Sequence, residues 1–156
     1  MRLGAGVPNL AEVTYEVDDN PARVDIGTVW AFLSEHAYWG RWRARSDVET
    51  QIAGAWRIVG GYEVPSGAMV GFARAVSDGV ALAYLADVFV LPDHRGRGLG
   101  TRLVEAMIEG GPGKDFRWLL HTSDAHGLYE KFGFARPDGT LLDRPSRKIS
   151  SDRRAS

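Results

Sequence analysis

Hydrophobic and polar positions divide the first third of the chain into one strand and two helices. Apolar and polar side chains alternate over 13–17, a pattern typical of a half-buried β-strand. Over 25–34 the apolar residues recur three and four positions apart, which predicts an amphipathic helix. A second helix is predicted over 47–53, with Ser46 as its N-cap.

The middle of the chain is predicted to form three antiparallel strands. They cover 55–59, 69–76 and 80–91, where β-branched and other apolar residues are dense. Gly60-Gly61 and Ser77-Asp78-Gly79 supply turn residues between them. We therefore expect a meander whose third strand leads directly into a glycine-rich segment.

The rest of the chain alternates between predicted helices and strands. A helix over 101–109, a strand over 116–122 and a short helix over 125–132 follow one another. Gly133 supplies the left-handed residue that commonly ends a helix, and Phe134 is predicted to begin another strand.

The segment from Asp93 to Thr101 carries the clearest chemical signal, because its glycines lie between a predicted strand and a predicted helix. A helix N-terminus leaves backbone N–H groups without intrahelical partners, and the helix dipole adds partial positive charge there. Gly96, Gly98 and Gly100 allow a ligand to approach that backbone closely. The segment therefore predicts a binding site for a phosphorylated ligand.

Spacing excludes two common phosphate-binding loops. The dinucleotide fingerprint Gly-x-Gly-x-x-Gly does not fit, since a count from Gly96 ends on Thr101. A Walker A loop needs a Gly-Lys pair followed by serine or threonine, but the pair at Gly113 is followed by Asp115.

Composition narrows the class of protein. The 156 residues are 44% hydrophobic, which suits one packed domain, expected at 1–143, with a polar tail at 144–156. No apolar run reaches transmembrane length and no signal-peptide pattern is present, so we expect a cytoplasmic protein without a membrane partner. The absence of cysteine excludes thiolate metal sites and a cysteine nucleophile, and we expect no metal. A formal net charge of −1 disfavours nucleic-acid binding by the whole surface.

Two motifs together resemble the GNAT superfamily, the GCN5-related N-acetyltransferases. The hexapeptide 95–100, Arg-x-x-Gly-x-Gly, with the preceding segment 88–92, is similar to motif A, which holds the pyrophosphate of acetyl-CoA in that family. The heptapeptide 128–134, LYEKFGF, resembles a signature near the C-terminus of GNAT proteins. The order and separation of the two motifs support the resemblance.

The resemblance implies an α/β (α+β) GNAT fold, with a mixed, mostly antiparallel sheet of roughly six to seven strands, splayed between the fourth and fifth, and about four flanking helices. It also implies transfer of an acetyl group from acetyl-CoA to a primary amine of a small molecule, by direct attack in a ternary complex. Three alternatives stay open: acetylation of a protein or peptide amine, a non-catalytic acyl-CoA-binding regulator and, less favoured, a toxin acting on charged tRNA. A homodimer is also open.

Residues of the two motifs take their roles from the resemblance. Tyr129 matches the residue that protonates the leaving CoA thiolate, and a backbone N–H near Val90 would face the thioester oxygen. Thr122 stands where many family members have asparagine, so the cofactor contact of that amide is not expected here. The resemblance implies that the cofactor is bound by ten residues: Val88, Phe89, Val90, Arg95, Gly96, Arg97, Gly98, Leu99, Gly100 and Thr101.

Three aromatic residues are predicted to line the acceptor site. Tyr38 and Trp39 belong to an aromatic and arginine-rich segment between the first two helices, which in GNAT folds closes over the acceptor. Tyr84 lies on the third strand of the meander, near the position where several relatives hold their general base.

The residue that accepts the proton of the amine is left open by the sequence. Asp87 is a carboxylate inside an apolar strand, where burial would raise its pKa and suit it to this task. The alternative is a structural aspartate that anchors a loop or an arginine. His121, His126 and water are the other candidates.

Overall fold

In the part of the chain that the structure describes, five strands form one sheet and lie side by side in their order along the chain. The computed structural model describes residues 13–37 and 42–148. Neighbouring strands are antiparallel from the first to the fourth, and the fifth runs parallel to the fourth. The strands are β1 (Thr14–Asp18), β2 (Arg57–Val64), β3 (Met69–Ser77), β4 (Leu82–Val90) and β5 (Arg117–Leu120). The mixed, mostly antiparallel sheet is thus confirmed.

Helices cover both faces of the sheet. Within the described ranges they are α1 (Ile26–Glu35), α2 (Arg45–Ala53), α3 (Leu99–Met107) and α4 (His126–Glu130). On one face Phe32 of α1 stacks on Phe89 of β4, with 4.1 Å between the ring centroids. On the other face Leu103 and Met107 of α3 pack into a second apolar cluster. Among the described helices, none combines the length and apolar composition that crossing a membrane requires.

The sheet has fewer strands than the resemblance implies. In the part of the chain that the structure describes, no strand begins at Phe134 and none follows β5. Residues 135–148 are all exposed and irregular, and they include Pro137, Gly139 and Pro145. Proline removes a donor from a strand ladder and glycine weakens it, which explains why the predicted strand does not form.

The predicted turn at Gly60-Gly61 is wrong, because β2 continues through both glycines. Gly61 pairs with Gly71 of β3, and both lie beneath α3. A Cβ added to Gly61 would lie 3.1 Å from Leu99 Cδ1, and one added to Gly71 would lie 2.9 Å from Leu103 Cδ1. The missing side chains let α3 pack directly on the sheet, which fixes the position of its N-terminus.

The start of α2 also differs from the prediction. The helix begins at Arg45, and Ala44 rather than Ser46 is its N-cap. The Asp47 carboxylate accepts a hydrogen bond of 2.7 Å from the Ala44 backbone N–H. Serine is the usual cap, but here an acidic side chain within the first turn satisfies the preceding backbone instead.

Candidate active site

The glycine-rich loop connects the end of β4 to the start of α3. After one 3₁₀ turn over Pro92–His94, the backbone has φ angles of +77° at Gly96 and +80° at Gly98. A Cβ added to either glycine would meet no atom within 4 Å. These glycines are therefore required by the left-handed backbone and leave open space above the loop.

The first turn of α3 directs its backbone N–H groups into that space. Gly98 is the N-cap and provides no side-chain acceptor. The first intrahelical bond runs from the Arg102 N–H to the Gly98 carbonyl, at 3.1 Å. The N–H groups of Leu99, Gly100 and Thr101 therefore have no acceptor within the helix, which makes this turn a suitable anion site.

His94 attaches the loop to the far edge of the sheet. Its ring is buried, with Nδ1 2.8 Å from Tyr15 Oη on β1 and Nε2 3.6 Å from Glu63 Oε2 on β2. Sequence reasoning assigned no role to His94. Its partners are distant along the chain, and no local pattern connects them to the loop.

Two arginines of the loop lie in different surroundings. Arg95 Nε donates a hydrogen bond of 3.0 Å to the Val90 carbonyl, so its side chain folds back on the end of β4. Arg97 lines a cavity of about 490 Å³ together with Arg102 and residues 13–15. Two guanidinium groups give this cavity a positive charge beside the predicted anion site.

β4 and β5 separate halfway along β4, as the resemblance implies. Pairing between them covers only Leu82 to Leu85 of β4, and β5 ends at Leu120. Among the described residues, no strand pairs with the remainder of β4 on this side.

The unpaired edge of β4 carries backbone donors. Leu91 donates its N–H to the Val70 carbonyl of β3, at 2.8 Å. Because N–H groups alternate in direction along a strand, those of Val88 and Val90 point away from β3 and into the splay. An extended ligand with amide groups can bind this edge as an additional strand would.

Tyr129 lies in the apolar cluster that covers this stretch of β4. The residue is 8% exposed and belongs to the apolar cluster against which Val88 and Val90 pack, while the ring of Phe134 meets its ring edge-on, with 5.8 Å between the centroids. No described residue forms a hydrogen bond with its hydroxyl group. Burial raises the pKa of Tyr129, and the nearby charge of Asp124 adds to the effect. The phenol therefore stays protonated at neutral pH and can donate a proton.

Asp87 is sealed inside the protein, with 3% of its surface exposed. Its Oδ1 accepts a hydrogen bond from Arg43 Nη2 at 3.0 Å, and its Oδ2 accepts from Arg43 Nη1 and Arg74 Nε, each at 2.9 Å. Burial acts to raise the pKa of Asp87, but the hydrogen bonds and charges of the two arginines together hold it below its ordinary value. The predicted rise in pKa is wrong, and the contacts are those of the alternative, an aspartate that anchors arginine.

Sequence reasoning missed both arginines of this cluster. Arg43 comes from the segment before α2, where it also donates to Gln51 Oε1 at 2.7 Å. Arg74 lies in the apolar strand β3 and pairs in register with Asp87. Opposite charges within two neighbouring apolar strands were the available signal, because unpaired charges are rarely buried.

A second polar cluster lies at the fork between β4 and β5. Tyr84 Oη is 2.6 Å from His121 Nδ1, and His121 Nε2 is 3.8 Å from Asp143 Oδ2. Tyr84 is half-buried, whereas the His121 side chain is 68% exposed. Burial raises the pKa of Tyr84, and the negative charges of Asp143 and Asp87 raise it further.

The other predicted site residues are dispersed. Tyr38 and Trp39 lie outside the described residues. His126 is exposed at the start of α4. Thr122 Oγ1 accepts a hydrogen bond of 3.1 Å from the Ala125 N–H and so shapes the turn into α4. Across 13–37 and 42–148, no three histidine, aspartate or glutamate side chains are grouped so that they could hold a metal ion.

Comparison with known proteins assigns the family. A family model described as an acetyltransferase (GNAT) domain matches residues 53–136. A Gibberella zeae protein, provisionally assigned as an acetyltransferase, is 31% identical over 105 residues, which are 66% of this chain and 57% of that protein. This chain thus spans little more than half the length of that relative.

Solved structures agree with the family model. A crystal structure of a GNAT-family protein from Xanthomonas campestris, provisionally assigned as an acetyltransferase, is 35% identical, with a TM-score of 0.80 over 88% of this chain and 97% of that one. An aminoglycoside N-acetyltransferase in complex with CoA has a TM-score of 0.57 over 89% of this chain and 98% of that one. At 20% identity, its likeness concerns the fold. The chain belongs to the GNAT acetyltransferases.

Proposed function

We propose that this protein transfers the acetyl group of acetyl-CoA to a primary amine of a small molecule, by direct attack in a ternary complex. The observation that carries the proposal is the position of Tyr129. It belongs to the apolar cluster against which Val88 and Val90 pack, and these two residues lie on the stretch of β4 that has a free edge and leads into the glycine-rich loop. A proton donor, strand-edge amide donors and an anion site therefore follow one another along a single path.

The residues along this path suit the chemical groups of acetyl-CoA. The N–H groups of Leu99, Gly100 and Thr101 suit the pyrophosphate, because they converge at a helix N-terminus. The Val90 N–H lies nearer the loop and suits an amide of the pantetheine arm, and the Val88 N–H lies farther along the edge and suits the thioester oxygen. Acetyl-CoA supplies a thioester, whose carbonyl carbon is the electrophile in the reaction.

Two groups of the chain act on the reacting atoms. As the amine nitrogen bonds to the thioester carbon, the Val88 N–H donates a hydrogen bond to the oxygen that becomes negatively charged. When the carbon–sulfur bond then breaks, Tyr129 donates its phenolic proton to the leaving sulfur, and the excess proton on the nitrogen of the new amide restores the phenol. A buried phenol with a raised pKa remains in its protonated form until this step.

The test is release of free thiol from acetyl-CoA in the presence of L-lysine, spermidine or kanamycin, with CoA binding measured in parallel by calorimetry. Amine-dependent release supports the proposal and narrows the acceptor to an amino acid, a polyamine or an aminoglycoside-like compound. Tight CoA binding without release on any of the amines would instead favour a non-catalytic acyl-CoA binder. Absence of CoA binding would overturn the assignment of the glycine-rich loop.

A further inference from the structure

The cluster of Tyr84, His121 and Asp143 lies where β4 and β5 separate. Tyr84 pairs in register with Leu119, one position before the last β4–β5 pair. His121 is the first residue after β5, so it stands at the point where the two strands separate. The contact between Tyr84 and His121 therefore joins the two sides of the fork.

This cluster and Tyr129 lie on opposite faces of the sheet. Tyr84 and Asp87 pair with Val76 and Arg74, which are two residues apart on β3 and so share a face. Tyr129 packs instead in the cluster that contains Ala73 and Ala75, the intervening β3 positions. A reaction within the splay can therefore exchange protons with Tyr84 on one face and with Tyr129 on the other.

We propose that His121, acting through the Tyr84 hydroxyl, accepts the proton of the acceptor amine. The inference rests on the proposed acetyl transfer and assigns the base that this reaction needs. An alkylammonium ion cannot attack a thioester until it loses a proton, because its nitrogen lone pair is occupied. Asp87 does not fill this role, since three guanidinium N–H groups already occupy its oxygens.

The transfer is a two-step proton relay. The N–H bond of the ammonium breaks and its proton bonds to Tyr84 Oη, while the original Tyr84 proton moves to His121 Nδ1 over the 2.6 Å contact. The neutral amine then attacks, and the imidazolium of His121 releases its proton to water. Exposure of 68% of the His121 side chain makes this last exchange direct.

Charged groups lie near both residues of the relay. The carboxylate of Asp143 lies 3.8 Å from His121 Nε2, on the side of the ring away from Tyr84. Asp87 and Arg74 are the other charged groups that act on Tyr84 from the sheet. The raised pKa of Tyr84 keeps its hydroxyl neutral between transfers, as a relay requires. Imidazole ordinarily changes charge between pH 5 and 8, within the working range of such a base.

The test compares the wild-type chain with His121→Asn and Tyr84→Phe over pH 6 to 9.5. The substrate is whichever of L-lysine, spermidine and kanamycin the wild-type chain acetylates. Asparagine keeps a hydrogen-bond acceptor near the Nδ1 position but cannot take a proton. We expect kcat/KM for the amine to fall by about 10²-fold or more at pH 7 in each variant. The double variant should lose little more than either single one, because the two residues act in one relay.

The pH dependence of kcat/KM distinguishes a role of the two residues in proton transfer from a purely structural role. In the variants the deficit should shrink as pH rises, because the free amine, with a pKa of about 10, supplies more of its neutral form. A deficit that is constant with pH, or unchanged activity in His121→Asn, would overturn the relay while leaving acetyl transfer intact. No amine-dependent thiol release by the wild-type chain would overturn the proposed function and the relay together.

A second measurement does not depend on turnover. Nitrogen-15 NMR of the His121 imidazole at neutral pH should report a proton on Nε2, with Nδ1 accepting from Tyr84. The Tyr84→Phe variant should lose that Nδ1 signature. A wild-type imidazole with its proton on Nδ1 could not receive the Tyr84 proton, and that result would contradict the relay.

Discussion

Asp87 and Tyr84 lie on one face of β4, three residues apart because the strand register shifts between them, yet their surroundings differ. The surroundings of Asp87 suit a structural role, and those of Tyr84 suit a role in catalysis. Asp87 is sealed from water and bound by two arginines, which hold it in the charged form. Tyr84 is half-buried and contacts a histidine that is open to solvent. A group with saturated hydrogen bonds stabilises the fold, whereas a group that exchanges protons with water can act in a reaction.

The largest expected effect is on stability, from Asp87→Asn. Removing the carboxylate leaves the charges of Arg43 and Arg74 buried without compensation, and we expect a loss of about 3–5 kcal/mol in the free energy of unfolding. Urea denaturation measures it. The matched control is Asp19→Asn, because Asp19 also contacts an arginine at 2.9 Å but its side chain is 59% exposed. That change should cost at most about 1 kcal/mol, and equal losses in the two variants would break the comparison.

The next effect is on turnover, from Tyr129→Phe. The substitution keeps the buried ring and removes the proton donor, so kcat should fall by about 10²-fold while CoA affinity changes little. Steady-state kinetics and calorimetry measure the two quantities. A matching loss of CoA affinity would show that the hydroxyl binds the cofactor rather than protonates the sulfur.

A smaller effect on stability comes from Gly98→Ala. A Cβ at this position meets nothing, so its cost is that of a non-glycine residue at φ +80°, about 1–2 kcal/mol. The matched control is Gly127→Ala, which also has open space but lies in α4 with no positive φ. Replacing a helical glycine should stabilise by up to about 1 kcal/mol. Thermal unfolding that ranks the two variants in the reverse order would contradict the backbone explanation.

The smallest expected effect is the acid dependence of stability. The pKa of Asp87 is lower in the folded chain than in the unfolded chain, so the unfolded chain binds more protons as pH falls below about 4. The contribution of Asp87 is therefore fully present above that pH and is lost as pH falls through the folded pKa. Unfolding free energies from pH 7 down to 3 should decline more steeply in the wild-type chain than in Asp87→Asn. Parallel curves would mean that Asp87 titrates alike in both states.

The sequence predicted features that depend on neighbouring residues, and it failed where distant residues meet. The left-handed glycine at 133 and the apolar face of α1 were predicted correctly, since short-range spacing determines both. The direction of the Asp87 pKa shift was predicted wrongly, because it depends on Arg43, which lies 44 positions away in the sequence. The contact between Tyr84 and His121 was missed for the same reason, although each residue was a separate candidate.

The packing of α3 on the paired glycines, Gly61 and Gly71, limits which substitutions the sheet beneath the helix can accept. Gly61 and Gly71 are remote from the glycine-rich loop in sequence, but a methyl group at Gly71 would press on Leu103 of α3, the helix whose first turn forms the predicted anion site. Under the proposed function, affinity for acetyl-CoA therefore depends partly on positions in β2 and β3 that do not touch it. If the loop and α3 were introduced into another protein, the helix would take this position only on a sheet that also has two small residues beneath it.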